Sequence, residues 1–184
     1  MKKILSTILL GSIALLNAQV IIGDAIGTAT VKTSVLLEFA KGSGTGNKGI
    51  VLPYVTTLPT STEGTIILDA VDATKARVRF YNNTQWVDLS GQDGNITSAL
   101  PIQTSATENT AARAIIGDVP NPIPVTFPDG VLVLNSATKA MVLPQVANVQ
   151  DILKPAPGMM VYINKTGAKR LAVFNGTKWS YWKP

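Results

Sequence analysis

"FYNNTQW" at residues 80–86 returns as "VFNGTKW" at residues 173–179, and this repeated aromatic turn decides the predicted fold class. Asn-Gly between two strand-like segments is a strong hairpin signal, because both central residues of the turn adopt positive φ. Asn82-Asn83 serves the same geometry, since Asn tolerates the left-handed region better than most residues. The two stretches therefore predict two β-hairpins of one kind.

Four further blocks of sequence recur in the same order, at offsets between 91 and 96 residues. They are IIGD at 21–24 and 115–118, SVLLEF at 34–39 and GVLVLN at 130–135, IVLPYV at 50–55 and MVLPQV at 141–146, and EGTIIL at 63–68 and PGMMVY at 157–162. Self-similarity at one period indicates a repeat architecture. We predict a mainly β protein with two copies of a short-stranded module that ends in a hairpin. The first copy spans 19–90, a polar and Pro-rich connector spans 91–114, and the second copy spans 115–184.

The blocks have the composition of short strands, rich in β-branched and aromatic residues and bounded by Gly, Asn, Pro or Ser. The predicted strands are 34–40, 49–55, 64–70, 76–82 and 84–90 in the first copy, and 130–135, 140–146, 158–164, 168–174 and 177–183 in the second. Pro53 and Pro144 predict a bend or a sheet edge inside their blocks, because proline has no N–H to donate. The one helical candidate is 106–115.

If each turn has two central residues, the cross-strand pairs of the hairpin follow when residues are counted outward from them. In the first hairpin this places Arg79 opposite Trp86 and Arg77 opposite Asp88. Such cross-strand pairs stabilise a sheet by a few tenths to about 1 kcal/mol each. The second hairpin has the same spacing.

The first 18 residues predict a secretory signal peptide. Lys2 and Lys3 precede an apolar segment at 4–16, and the small residue Ala18 stands at the cleavage position. The apolar segment is shorter than the roughly 20 residues of a membrane-spanning helix. The alternative is a buried N-terminal helix. We predict export through the general secretory pathway to the cell surface or beyond, with no membrane span after cleavage.

The composition argues against several classes of protein. The chain has no His and no Cys, so the usual acid–base shuttle, thiol nucleophile and zinc ligand sets are missing. Loss of Lys2 and Lys3 lowers the net charge from +5 to +3, and the remaining basic residues are scattered. Nucleic-acid binders normally show a concentrated basic stripe. We predict no enzyme activity, no cofactor, no metal and no nucleic-acid partner.

The stretch 47–90 resembles a module of small exported proteins of the Bacteroidota. The shared pattern is a Lys-Gly-hydrophobic-Leu-Pro block, a Gly-led strand and a Tyr-Asn-(Gly/Asn)-x-x-Trp hairpin. Residues 130–184 resemble it more loosely, with KAMVLP in place of KGIVLP. A similar Gly-strand-turn-Trp hairpin occurs near the tips of some phage tail fibres. The resemblance implies a surface or extracellular role and no particular chemistry.

Two functions fit these observations. The first is a non-enzymatic structural or adhesive protein that self-assembles or binds another surface protein, since short sheets leave strand edges open. The second is a carbohydrate-binding module, in which exposed aromatic side chains stack on sugar rings. The candidate ligand- or partner-binding residues are Trp179, Tyr181, Trp182, Trp86 and Arg79. The alternative for the tryptophans is that each caps the core of its module.

Overall fold

The computed structural model describes residues 19–23, 27–30, 32–40, 47–102, 107, 109, 112–124, 127–128 and 130–182. The predicted signal peptide, 1–18, lies outside this part of the chain. The mainly β class predicted from the sequence is confirmed. The strands are β1 (Val20–Ile22), β2 (Val35–Phe39), β3 (Ile50–Val51), β4 (Tyr54–Val55), β5 (Ile66–Asp69), β6 (Arg77–Tyr81), β7 (Trp86–Asp88), β8 (Ala114–Gly117), β9 (Leu132–Asn135), β10 (Ala140–Met141), β11 (Gln145–Val146), β12 (Met159–Ile163), β13 (Arg170–Phe174) and β14 (Trp179–Trp182). Short 3₁₀ helices span Leu100–Ile102 and Val149–Asp151. Of the helical candidate 106–115, the last two residues belong to β8 and half of the others lie outside the described residues.

Proline divides two of the predicted strands. The predicted strand 49–55 forms β3 and β4 with Pro53 between them, and 140–146 forms β10 and β11 with Pro144 between them. The bend sends the two parts of each strand to different sheets. Thus β3 pairs with β12 whereas β4 pairs with β5, and β10 pairs with β2 whereas β11 pairs with β12.

Two of the sheets share one design. Strands β4-β5-β6-β7 and β11-β12-β13-β14 have the same order, with a parallel first pair and antiparallel pairs after it. Their registers also correspond: Leu68 lies opposite Val78, and Tyr162 lies opposite Leu171. The other sheets are β1-β2-β10 and the pair β8-β9. We call residues 19–90 the first half and 115–182 the second half.

The hairpin register differs from the predicted one by two residues. Tyr81 lies opposite Trp86 and Arg79 opposite Asp88, so Arg79 does not face Trp86. The reason is that the central residues of the turn are Asn83 and Thr84, since the N–H of Asn82 already bonds to the carbonyl of Gln85 (3.1 Å). Displacing a turn by one residue moves the register by two, which preserves the face of every side chain.

The side chain of the first Asn holds the turn in place. Asn82 Oδ1 accepts the N–H of Thr84 (3.0 Å) and of Gln85 (2.8 Å), which fixes Asn82 before the turn. Positive φ then falls on the next residue, Asn83 (73°) in the first hairpin and Gly176 (100°) in the second. Positive φ at the first central position is the requirement of a type II′ turn. The sequence motif was correct, but its position within the turn was wrong.

Of the two predicted cross-strand pairs, the charge pair forms with changed geometry and the Arg79–Trp86 pair does not form. Arg77 bonds to Asp88, as predicted, although the two residues are diagonal neighbours in the observed register. Arg77 also contacts Asp93 at 2.8 Å. Arg79 forms an ion pair with Asp69 on β5 at 3.0 Å instead of contacting an indole.

The halves share a hydrophobic core. The shared core cluster contains Leu68, Ala70, Ala76 and Val78 from the first half, Ile96 from the segment after β7, and Met160 and Val173 from the second half. The other core cluster lies within the second half and contains Val146, Val149, Ile152, Met159, Val161, Ile163 and Ala172. Because apolar burial is the dominant favourable term in folding, the shared cluster ties the stability of the halves together.

The beginning of the predicted connector packs against the second hairpin. Gln92 Nε2 donates to Ser180 Oγ (2.9 Å), and Asn175 Nδ2 donates to the carbonyl of Gln92 (2.8 Å). Ile96 is completely buried. Residues 91–102 are therefore part of the folded unit, between the sheets of the halves.

Candidate assembly surfaces

The outer edge of β9 is open. On its inner side, the N–H of Ala114 bonds to the carbonyl of Val131 and the N–H of Asp118 to that of Asn135, both at 2.9 Å. Alternation along the strand directs the polar backbone groups of Leu132 and Leu134 to the opposite edge. No strand in the described part of the chain pairs there. Val131 is 67% exposed and Leu132 47% exposed.

Strand β2 occupies the same position in the first half but is central in its sheet. It lies between β1 and β10, and its Leu37 is completely buried. The correspondence follows from the registers, since Ile22 lies opposite Phe39 and Ile116 opposite Leu134. The offset of this block is thus 95 residues instead of the predicted 96, and Leu132 corresponds to Leu37.

Four of the exposed apolar side chains lie close in sequence to this edge. Val119, Ile123, Val131 and Leu132 all lie in the short segment around β9 and are 46–67% exposed. Exposed apolar groups that cluster in this way mark interaction surfaces in soluble proteins. These four residues and the outer edge of β9 are therefore the first candidate surface for assembly.

The aromatic residues predicted at the C-terminus do not form a single platform. Trp179 is half-buried, packs on Phe174 with ring centroids 5.3 Å apart, and lies against the core of the second half. Tyr181 is exposed on the same face, and the guanidinium of Arg170 lies over its ring at 4.6 Å. Trp182 is 56% exposed and still belongs to β14, so it projects from the opposite face.

The other two predicted site residues lie in the sheet of the first half. Trp86 is half-buried and packs on Tyr81, with ring centroids 5.4 Å apart. Arg79 is held by Asp69. The structure therefore gives Trp86 and Trp179 equivalent places, each against the aromatic residue that precedes its turn.

Removing the indole of Trp179 is expected to lower the free energy of unfolding by about 2 kcal/mol, since it deletes a half-buried aromatic side chain that packs on Phe174. Trp182→Ala is the matched control and is expected to cost less than about 0.5 kcal/mol, the range of surface substitutions. Urea unfolding followed by circular dichroism measures both variants. Equal losses of stability would contradict the packing described for Trp179.

A cavity of about 190 Å³ lies beside Tyr181. Its lining includes the polar side chains of Asn148, Gln150, Lys165 and Arg170. The cavity combines an aromatic ring with polar side chains, the two kinds of group that orient a small ligand. The cavity is the second candidate surface.

A buried carboxylate that the sequence analysis missed fixes the loop before β2. Glu38 is completely buried, and its Oε2 accepts the N–H groups of Thr28 (2.9 Å) and Ala29 (2.8 Å). Gln19 and Lys32 bond to the other oxygen. Burial alone would raise the pKa of Glu38, but the hydrogen bonds from Lys32, Ala29 and Thr28 and the charge of Lys32 hold it below its ordinary value. The available signal was a carboxylate inside the apolar strand VLLEF.

This carboxylate is expected to make stability depend on acid pH. Because the folded-state pKa of Glu38 is lowered, its stabilisation is complete above the ordinary value of 4.5 and is lost as the pH falls through the folded-state pKa. Glu38→Gln is expected to cost about 1.5 kcal/mol at neutral pH, the value of a hydrogen bond to a charged group. Urea midpoints at several pH values between neutral and strongly acidic measure this. A variant whose stability falls with acid as steeply as that of the wild type would refute the role of Glu38.

The described residues contain no group of three acidic side chains close enough to hold a metal ion. Among these residues there is also no helix with the length and apolarity of a membrane span.

Comparison with known protein families gives a match to part of the chain. The family model described as a phage tail like trimerisation region matches residues 122–183, which is less than half of the chain and runs from before β9 to the end of β14. No curated protein and no solved structure matches the chain. The match supports self-assembly into a homo-oligomer and is consistent with an element like those of phage tail fibres.

Proposed function

We propose that the protein is an exported, non-enzymatic structural protein that acts at the cell surface or outside the cell as a homotrimer. The main support is the match of residues 122–183 to a phage tail like trimerisation region. The matched segment includes the open edge of β9 and the exposed Val131 and Leu132. An open strand edge is a natural site for pairing with another chain.

The proposal includes a tandem arrangement of two related modules. Its support is the common strand order and register of β4–β7 and β11–β14, together with the parallel pairs β1-β2 and β8-β9. The basic and then apolar N-terminal segment supports export. A chain without His or Cys supports a role in binding and assembly over one in catalysis.

Sedimentation equilibrium of residues 19–184 tests the proposed assembly. We expect a mass three times that of the chain, with dissociation only on strong dilution. A monomer at every concentration would refute the proposed function. Fusion of residues 1–18 to a secretion reporter tests export separately, and retention of the reporter in the cytoplasm would refute that part.

Carbohydrate binding is the second candidate function, and the cavity beside Tyr181 favours it. The amide and cationic side chains of its lining would orient sugar hydroxyls, and the ring of Tyr181 would stack on the sugar. Arg170 already lies over that ring at 4.6 Å, so a sugar would have to displace it or bind beside it. A glycan array with the wild type and Tyr181→Ala tests this function, which an array without binding by the wild type would exclude.

A further inference from the structure

Strands β3 and β10 connect the halves, and each pairs on one edge. The N–H of Leu52, just after β3, bonds to the carbonyl of Gly158 beside β12 at 3.1 Å. The N–H of Val142, just after β10, bonds to the carbonyl of Leu37 on β2 at 2.8 Å. Each half therefore supplies one strand to a sheet of the other half.

The two strands use opposite edges. In the blocks IVLP and MVLP, Val142 corresponds to Val51, and Leu143 corresponds to Leu52. Successive N–H groups along a strand point to opposite sides. The edge that β10 uses to bind β2 is therefore the edge that β3 leaves open, and the edge that β3 uses to bind β12 is the one that β10 leaves open. Because the N–H of Leu52 faces β12 and that of Val142 faces β2, alternation directs the N–H groups of Val51 and Leu143 to the other side of their strands.

The backbone positions that bind these strands, Leu37 for β10 and Gly158 for β3, each have a counterpart in the other half. Leu132 on β9 corresponds to Leu37 on β2, but Leu37 is covered by β10 whereas Leu132 is 47% exposed. Gly64 corresponds to Gly158, because the N–H of Gly64 bonds to Tyr81 (2.9 Å) as that of Gly158 bonds to Phe174 (2.8 Å).

The surroundings of the two glycines show which position is occupied. A methyl group on Gly158 would lie 3.2 Å from Cβ of Leu68 and 3.5 Å from the carbonyl oxygen of Leu52. A methyl group on Gly64 would have no atom within 4 Å. Among the described residues there are thus two filled strand positions and two equivalent open ones, together with two strands that each have one unused edge.

We propose that the second half of one copy binds the first half of another copy through the same two strand pairings that join the halves within a chain. Strand β3 of one copy adds to the open edge of β9 in its neighbour, and β10 of that neighbour adds beside β5 of the first copy. The N–H of Val51 then bonds to the carbonyl of Leu132, and the N–H of Leu143 bonds to the carbonyl of Gly64. This inference rests on the proposed self-assembly and specifies its interface.

The interface is head to tail, since the surface that each copy presents differs from the surface that it receives. Interfaces of this type form closed rings when the rotation between copies closes. Three such interfaces close a trimer in which β9 becomes a central strand, as β2 already is. The exposed side chains of Val51 and Leu132, both 47% exposed, become covered.

Disulfide trapping tests the proposed pairing directly, because the natural chain has no cysteine. Since Met141 lies opposite Leu37, the counterpart pair across the interface is Ile50 and Leu132. The Cα distance between neighbouring strands is within the range that a disulfide spans. Oxidation of Ile50→Cys/Leu132→Cys is expected to give covalent trimers on a denaturing gel without reductant.

The single-cysteine variants are the internal controls. Each alone is expected to run as one chain, whereas a mixture of the two is expected to give covalent dimers. The variant Ile50→Cys/Leu153→Cys is the matched control, since Leu153 is exposed but lies outside the proposed interface. It is expected to show no ladder of covalent species.

A charge on the β9 edge provides a second test that does not depend on cysteine. Leu132→Lys is expected to weaken association by about tenfold or more in Kd, and Leu153→Lys is expected to leave Kd unchanged. Circular dichroism of both variants is the check that each one folds.

The outcomes separate this interface from the proposed function. A trimer that cross-links through Ile50→Cys/Leu37→Cys, and not through the pair at 50 and 132, would overturn the head-to-tail pairing while leaving self-assembly intact. A trimer unaffected by Leu132→Lys would also overturn it. A monomer at all concentrations would refute both proposals.

Discussion

Gly94→Ala is expected to lower the free energy of unfolding by about 3 kcal/mol or more, or to prevent folding. A methyl group on Gly94 would overlap the carbonyl oxygen of Asn175 and lie 2.7 Å from its Cγ. Neither segment can move easily, because Gly94 and Ala76 exchange two backbone hydrogen bonds of 2.8 and 3.0 Å, and the N–H of Asn175 bonds to the carbonyl of Lys178 at 3.2 Å. Overpacking of a well-packed interior typically costs 1–3 kcal/mol, and here backbone hydrogen bonds would be lost as well.

Urea unfolding followed by tryptophan fluorescence measures this loss. Gly130→Ala is the matched control, since the added methyl group would meet its nearest atom at an ordinary 3.5 Å. The corresponding position in the first half holds Val35, which shows that a side chain fits that backbone. If both variants unfold at the same urea concentration, the close packing of the connector against the second hairpin is wrong.

Asn175→Ala is expected to cost about 3 kcal/mol. Its completely buried side chain accepts the N–H groups of Thr177 (3.0 Å) and Lys178 (2.9 Å) and donates to the carbonyl of Gln92 (2.8 Å). Each hydrogen bond contributes about 1 kcal/mol, and buried groups left without a partner add a desolvation penalty.

Asn82→Ala is the control that isolates burial. Asn82 makes the same two turn contacts in the first hairpin but is exposed and makes no bond across to another segment among those described. Its replacement is expected to cost about 1 kcal/mol. Chemical denaturation measures the free energy of unfolding of both variants. Equal losses of stability would show that the bond to Gln92 contributes nothing.

Local features of the fold could be predicted because local chemistry determines them. Pro53 and Pro144 have no N–H to donate to a neighbouring strand. Each therefore interrupts its strand, whichever sheet that strand joins. The turn motif predicted two hairpins, but the exact register depends on whether Asn82 lies inside or before the turn. That choice is made by two hydrogen bonds to its own side chain, which a pattern of residue types does not show.

The exchange of β3 and β10 between the halves could not be predicted from the sequence. The blocks IVLP and MVLP have the same pattern, and nothing in the pattern states which sheet edge each will join. The parallel partners β1 and β8 were likewise missed as strands, since their pairing is distant in sequence. The buried Glu38 could have been predicted, because a carboxylate inside an apolar strand with Lys32 nearby indicates a buried ion pair.

The binding role of the candidate residues stays a prediction. Alternation along β14 places Trp179 and Tyr181 on one face and Trp182 on the other. The guanidinium of Arg170 contacts the ring of Tyr181 diagonally, since Tyr181 lies opposite Ala172 in the observed register. The open edge of β9 was not assigned, because its exposure becomes apparent only by comparison with the covered β2.

Because the halves exchange strands, the first half is synthesised before the strands that complete its pairing. β3 ends at Val51, but its partner β12 begins only at Met159. At translation rates of about 5–20 residues per second, a nascent first half waits several seconds for that strand. Pairings between residues so distant in sequence also form slowly, because the closure entropy of the intervening chain is lost first. During this interval β2 lacks β10, and β3 lacks β12, so the strands of a neighbouring nascent chain compete for the same edges. Folding yield should therefore fall as the concentration of unfolded chains rises.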